Sequence, residues 1–259
     1  RLTSNQNLRL TASETVNRPE FRELSPFAFT DAVGSFDRVG NPDLISATIR
    51  SYDARWEWFP SSADVIAVSL FYKDFTDPIE EVLVEGVTRT QTWQNADGAS
   101  NQGFELELRR GLGAWADALD AFTVVVNYSY IDSEVTIPPG GIQTNSSRPL
   151  VGQPDHVGNL VLEWVQPEWG SGVRLLYNYT GEKVSFVGAN GLPDVLEESR
   201  GTVDLAYTQR FDLAGIGWTV KASAENLTDE PWEFTQAGQP WTYFEPGVKL
   251  GLSVGLTFF

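Results

Sequence analysis

His156 is the single imidazole in the sequence, and Asp155 stands beside it. A His next to a carboxylate is the beginning of acid–base chemistry, since the carboxylate can orient the ring and hold its charged form. Completing it would need a nucleophile or further acids at the same place. The chain has no Cys, which excludes a thiol nucleophile, a Cys-ligated metal and any disulfide. Gly152-Gln153-Pro154-Asp155-His156-Val157 runs straight into an alternating segment, so His156 reads as a strand-entry residue. The pairs Glu80-Glu81 and Glu197-Glu198 could chelate a cation, but as isolated pairs in polar stretches they read as solvated loop charge. Gly111-Leu112-Gly113 and Gly215-Ile216-Gly217 supply unusual φ in turns. Neither precedes the helix that a phosphate loop requires. The sequons at Asn127, Asn145, Asn178 and Asn226 read as ordinary asparagines. The residues therefore give no catalytic set, no metal site and no cofactor.

Binding chemistry is better supplied. Trp93, Trp232, Trp241, Tyr243 and Phe244 fall in long connecting stretches, where aromatic planes can stack on a ligand ring. The competing role for each is hydrophobic packing within its own loop. With 18 Lys+Arg against 35 Asp+Glu, the net charge is −17, which excludes nucleic acid as a partner.

What must position these residues is a series of about ten alternating segments. One holds Tyr52, Ala54, Trp56 and Trp58 on one face, with Asp53, Arg55 and Glu57 on the other. Another holds Phe104, Leu106 and Leu108 against Glu105, Glu107 and Arg109. The last holds Val248, Leu250, Leu252, Val254, Leu256 and Phe258 against Lys249, Ser253 and Thr257. Successive strand side chains point to opposite faces, so every segment has an apolar face and a polar one. No apolar run is long enough for a membrane helix, which needs about 20 residues.

The connections alternate between long and short. The long ones cover 18–43, 76–100, 136–155, 186–199 and 228–246; the short ones lie near Pro60, 111–120, 166–172 and 212–217. Long loops at one end and short turns at the other mark an outer-membrane barrel. The apolar-face aromatics fall in two bands. Trp56, Trp58, Phe122, Trp164, Tyr207, Trp218 and Phe258 lie near the turns; Tyr52, Tyr72, Tyr128, Tyr130, Tyr177 and Tyr179 lie near the long loops. Amphipathic rings prefer the two membrane interfaces. The long loops hold 18 acidic and 5 basic residues, so −13 of the charge sits at one rim. Such a rim attracts cations, including those that bridge lipopolysaccharide, and repels polyanions.

Specific stretches complete the picture. Asn17-Arg18-Pro19-Glu20-Phe21-Arg22-Glu23-Leu24 and Gly40-Asn41-Pro42-Asp43-Leu44 resemble a strand-loop-strand segment of TonB-dependent outer-membrane receptors. Phe71-Tyr72-Lys73-Asp74-Phe75, Gly103-Phe104-Glu105-Leu106-Glu107, Gly152 to Leu160 and Glu225-Asn226-Leu227-Thr228-Asp229 are similar to further family stretches in the family's order, and Phe259 is a terminal aromatic. The resemblance implies an all-β antiparallel meander, the C-terminal part of a 22-stranded barrel. It implies that residues 1–259 are barrel alone, that a plug domain and the N-terminal strands belong to the same protein, and that ten strands form an open arc. Asp53, Arg55, Glu57, Glu105, Glu107 and Arg109 would face the lumen. Trp93, Trp232, Trp241 and Tyr243 would meet a scarce small nutrient such as a siderophore, cobalamin or an oligosaccharide. The implied partners are outer-membrane lipid, lipopolysaccharide, the plug and the TonB complex. A self-contained ten-stranded barrel, either a protease or a passive pore, is the alternative.

Overall fold

The structure is a computed structural model. It describes residues 1–30, 37–84, 90–138 and 142–258, so Phe259 lies outside the described residues. Period-two alternation is realised as ten long antiparallel strands: β1 Gln6–Asn17, β2 Ala47–Trp58, β3 Val65–Thr76, β4 Gly98–Gly111, β5 Phe122–Thr136, β6 His156–Gln166, β7 Ser171–Thr180, β8 Arg200–Leu213, β9 Ile216–Glu225 and β10 Lys249–Phe258. They pair in chain order as one meander, with the two-residue strand Ser147–Arg148 added at the end of β5. β1 and β10 each have one neighbour among the described residues, so the sheet is an open arc and not a self-closed barrel.

Register puts like with like. Leu8, Trp56, Val68 and Leu106 stand in one row across β1 to β4, and Arg9, Arg55, Ser69 and Glu105 in the next. One face is therefore apolar across the strands and the other polar, as the pleat requires. The apolar face is uncovered: relative exposure runs from 39% at Leu205 to 59% at Leu70 and 77% at Leu250. An apolar surface of this extent is stable only against an apolar medium. It has an upper limit. Tyr52 and Tyr72 are cross-strand partners with ring centroids 6.5 Å apart. One step further up the same face, Arg50 donates to Glu14 at 2.9 Å and stands opposite Asp74. At the other end Phe211 stacks on Trp218 at 6.1 Å, and Trp164 meets Trp169 at 6.1 Å.

The short connections are tight. Ala214 and Gly215 both have positive φ (56° and 75°), giving a two-residue turn that lets β8 run on to Leu213 and β9 begin at Ile216. The turn read from sequence at 212–217 is thus shorter than expected, because those flanking residues stay in the ladder. At the turn before β3, Asp64 accepts hydrogen bonds from Gly111 N–H, Ser61 Oγ and Arg110. These hold its carboxyl below the ordinary 3.8, the Gly111 N–H first among them.

The long connections fold further than sequence reading indicated. Strands 28–30, 37–39, 90–95 and 79–84 form a four-stranded sheet in that order, with 37–39 parallel to 90–95. Strands 183–186, 195–197, 232–236 and 239–244 form a second. The second repeats the order of β7-β8-β9-β10 and so continues those four strands upward. The buried apolar core lies at the loop end, where Val82, Ala96 and Ile137 of the connections meet Ala99 and Val135 at the upper ends of β4 and β5, with Phe75 and Leu150 against them.

Candidate functional site

The site is best built from the second upper sheet. Trp232 stands opposite Phe244, and Glu197 opposite Phe234. That register carries Glu197 to the Trp232 indole, which donates to its Oε1 at 3.0 Å. Lys183, opposite Glu197, closes an ion pair at 3.2 Å. The Arg200 guanidinium lies 5.1 Å from the Trp232 ring centre. A bulge between Phe234 and Thr235 sets Trp241 out of the paired register, and Trp241 meets Phe186 at 5.2 Å. Trp232, Trp241 and Tyr243 remain exposed (45%, 41% and 62%); Trp232 carries the ionic contacts, and the register sets Tyr243 on the opposite face of the sheet. At Trp232 an aromatic plane is held by neighbouring charges, an arrangement suited to stacking on a ring.

Trp93 is placed differently. It is buried at 7% exposure with Phe29 stacked on it at 6.3 Å, and its carbonyl accepts from Asn41 Nδ2. Sequence grouped it with the binding candidates; the structure puts its ring in loop packing, because the 28–30 strand folds over the 79–95 hairpin.

The paired glutamates need correction too. Glu80 is neither chelating nor solvated: Arg148, itself buried, donates to its Oε2 at 3.0 Å and to the Glu81 carbonyl. Burial pushes the Glu80 carboxyl up, with Arg148 acting the other way. Glu198 accepts from Thr235 Oγ1 and Glu197 from Trp232, so that pair ties two loops together. No group of three or more metal-ligating side chains occurs among the described residues. Arg148, Arg200 and Lys183 were not singled out from sequence. Arg148 left one signal, being the only basic residue between 136 and 155.

His156 is likewise committed. Its Nδ1 is 2.7 Å from Tyr128 Oη, its ring lies between Tyr128 and Tyr130, and Asp155 is 3.5 Å from Nε2. The imidazole belongs to the upper aromatic band on the apolar face, opposite Tyr130.

The six expected lumen residues share the polar face with Arg9, and four strands contribute to an ionic network there. Arg55 donates to Glu57 (2.9 Å), Ser69 (3.1 Å) and Glu107 (2.6 Å); Glu57 also receives Asn7 and Arg9. Asp53 and Glu105 stand on the same face with no ion pair among the described residues. Arg109 lies close enough to act electrostatically on Asp64.

This geometry combines an uncovered apolar band, two aromatic borders, an ionic inner face and folded loops at one end. The model of the family "TonB dependent receptor-like, beta-barrel" matches residues 1–227, and the chain belongs to that family. The family implies an outer-membrane location. No curated protein matches in sequence. Among solved structures, the ferric enterobactin receptor PfeA of Pseudomonas aeruginosa, solved with enterobactin, has a TM-score of 0.65 at 17% identity, covering 98% of this chain and 39% of that one. The siderophore receptor PirA of P. aeruginosa gives 0.65 and 17%, covering 98% and 40%. The ferric-catecholate import receptor Fiu of E. coli gives 0.66 and 17%, covering 99% and 34%. The chain thus spans between about a third and two fifths of the length of these receptors. The family and the neighbours are transport receptors, not enzymes.

Proposed function

We propose that this chain forms wall and external loops of a receptor that takes up a scarce nutrient across the outer membrane, energised by a TonB complex acting on a plug domain within the same protein. The apolar band of the wall faces lipid, and the acidic rim holds the cations that bridge lipopolysaccharide. The inner ionic network faces the plug. Specificity resides in the upper sheet around Trp232, Trp241 and Tyr243, and not at Trp93. The single observation that carries this is the half-exposed Trp232, held by Glu197 and Arg200 with Lys183 paired to Glu197, at the loop end of a membrane wall that also exposes Trp241 and Tyr243.

The rim charge selects among ligands. Carboxylates accept from hydroxyls and attract amines, so a neutral polyhydroxylated ligand or a cationic one is favoured over a polyanion. The experiment is tryptophan-fluorescence titration of the receptor and of Trp232→Ala and Trp241→Ala variants. The probes are a ferric catecholate, a ferric hydroxamate and a neutral oligosaccharide. The expected result is binding of the second or third, about tenfold weaker in each variant at unchanged surface abundance. Selective binding of the catecholate would overturn the ligand class. Unchanged affinity with lost loop order would reduce both Trp residues to packing.

A further inference from the structure

The tip of the 183–197 hairpin carries the one Asn-Gly dipeptide of the sequence, Asn190-Gly191. Both residues have positive φ (56° and 83°), and Leu192 N–H donates to the Ala189 carbonyl at 3.1 Å. That closes a two-residue turn of the mirror-image kind that Asn-Gly favours. Asn190, Gly191 and Leu192 are exposed, and a Cβ at Gly191 would meet nothing within 4 Å, so water reaches the tip.

Residues 142–145 grip this tip from the neighbouring external connection. Asn190 N–H donates to the Ile142 carbonyl (2.9 Å), Thr144 N–H to the Gly188 carbonyl (2.8 Å), and Asn145 Nδ2 to the buried carboxylate of Asp194 (2.8 Å). Thr144 Oγ1 is the centre of the grip. It accepts from Gly191 N–H at 3.1 Å and donates to the Leu192 carbonyl.

An asparagine followed by glycine is open to attack on its own side chain, because glycine has no Cβ to shield the peptide nitrogen. The Gly191 nitrogen gives up its proton and attacks Asn190 Cγ. A C–N bond forms, the Cγ–Nδ2 bond breaks, and Nδ2 leaves as ammonia with a proton taken back from solvent. Water then opens the five-membered imide. Opening at Cγ yields aspartate; opening at the main-chain carbonyl yields isoaspartate, whose backbone runs through the side chain and is one carbon longer. One water is consumed, one ammonia is released and no oxidation state changes. Ring closure requires the Gly191 nitrogen to swing round to Cγ, out of the left-handed turn. The Ala189–Leu192 hydrogen bond and the engaged Gly191 N–H both oppose that swing.

We propose that Asn190 is a self-modification site, converting through a cyclic imide to aspartate and isoaspartate, and that Thr144 sets its rate by holding Gly191 N–H. Aspartate is tolerated at a left-handed position and keeps the turn. Isoaspartate lengthens the backbone, so the closure at Ala189 and the contacts to Thr144 cannot be met together, and the grip between two external connections is lost irreversibly. The chemistry is independent of what the receptor carries.

The test holds the intact receptor in mildly alkaline buffer and follows Asn190 by mass spectrometry with fragmentation that separates aspartate from isoaspartate. The expected result is conversion at Asn190 ahead of every other asparagine, about tenfold faster in Thr144→Val, which removes both hydroxyl contacts. Thr144→Ser keeps the hydroxyl and should keep the parent rate. The receptor unfolded in urea supplies the unrestrained rate, so the hold is still tested if Thr144→Val fails to assemble. Hydrogen exchange at 142–145 should quicken as isoaspartate accumulates and stay at the parent rate in Asn190→Asp. Conversion no slower in the folded parent than in the unfolded chain, or equal rates in the parent and Thr144→Val, overturns the hold. An Asn190 that stays intact in Thr144→Val while it converts in the unfolded receptor overturns the site. Unchanged exchange in the aged receptor overturns the loss of the grip.

Discussion

The hairpin at 79–95 buries its tryptophan, whereas the hairpin at 232–244 displays both of its own. Around the first, Phe29 covers Trp93, and Val82 joins Ala96, Ala99, Val135 and Ile137 in a closed core. The Arg148–Glu80 pair fastens the neighbouring 136–155 connection to it. Around the second, Val184, Val187 and Val195 are buried, and the sheet also continues the wall strands and carries an ionic centre at Glu197. One external region thus buries its tryptophan beside an apolar core, and the other adds extension of the ladder to a smaller buried set. Burial removes side chains from use, and ladder extension leaves them free to meet a ligand.

Substituting the same residue type in both regions breaks the comparison most sharply. Trp93→Ala should cost about 3–5 kcal/mol of stability, because it empties a buried site. Trp232→Ala should cost far less, as its ring is half exposed. Denaturant unfolding of the two variants checks this, and equal losses would mean that the regions are not held differently.

The buried ion pair comes next. Either Glu80→Leu or Arg148→Leu alone should destabilise by about 3–5 kcal/mol, since each leaves an unpaired buried charge, while the double substitution should cost less than either. A double-mutant cycle measures the coupling. Additive losses would show that the pair does not fasten the loops.

The wall provides the reference for both. Arg at Val124 or Leu252, on the apolar face, should cost about 2–4 kcal/mol in lipid. Refolding into bilayers is the assay, and tolerance of both substitutions would reverse the assignment of faces.

The smallest effect concerns acid. Asp64 is held below its ordinary 3.8, so it contributes stability that is present above that value and is lost as pH falls through its folded value. Asp64→Asn should flatten that acid limb by lowering stability at neutral pH while leaving the most acidic values little changed. An unaltered limb would assign it to other carboxylates.

Much of the wall was legible in the sequence, because each strand there obeys a local rule. Tyr52-Ala54-Trp56-Trp58 against Asp53-Arg55-Glu57 can be sorted into faces without knowing any neighbour. The upper sheets obey no such rule. Strand 37–39 exists because it pairs in parallel with Thr90 and Gln91, some fifty residues on. Strand 239–244 contains Pro240 and a bulge, which read as a break in sequence. Arg148 and Glu80 are 68 residues apart, and nothing local in either segment announces their meeting. Of the aromatic candidates, Trp232, Trp241 and Tyr243 stay open and Trp93 is covered, a distinction set by which strand folds over which.

The stems of the second upper sheet all break at one level: between 180 and 183, 197 and 200, 225 and 232, and 244 and 249. Asn226, with φ of 54°, pins that level by donating to the Glu230 and Gly247 carbonyls and accepting from Glu230 N–H. Mechanically this is a leaf on a hinge. Asn226 thus ties two of the four breaks, those at 225–232 and 244–249, into one joint between leaf and ladder.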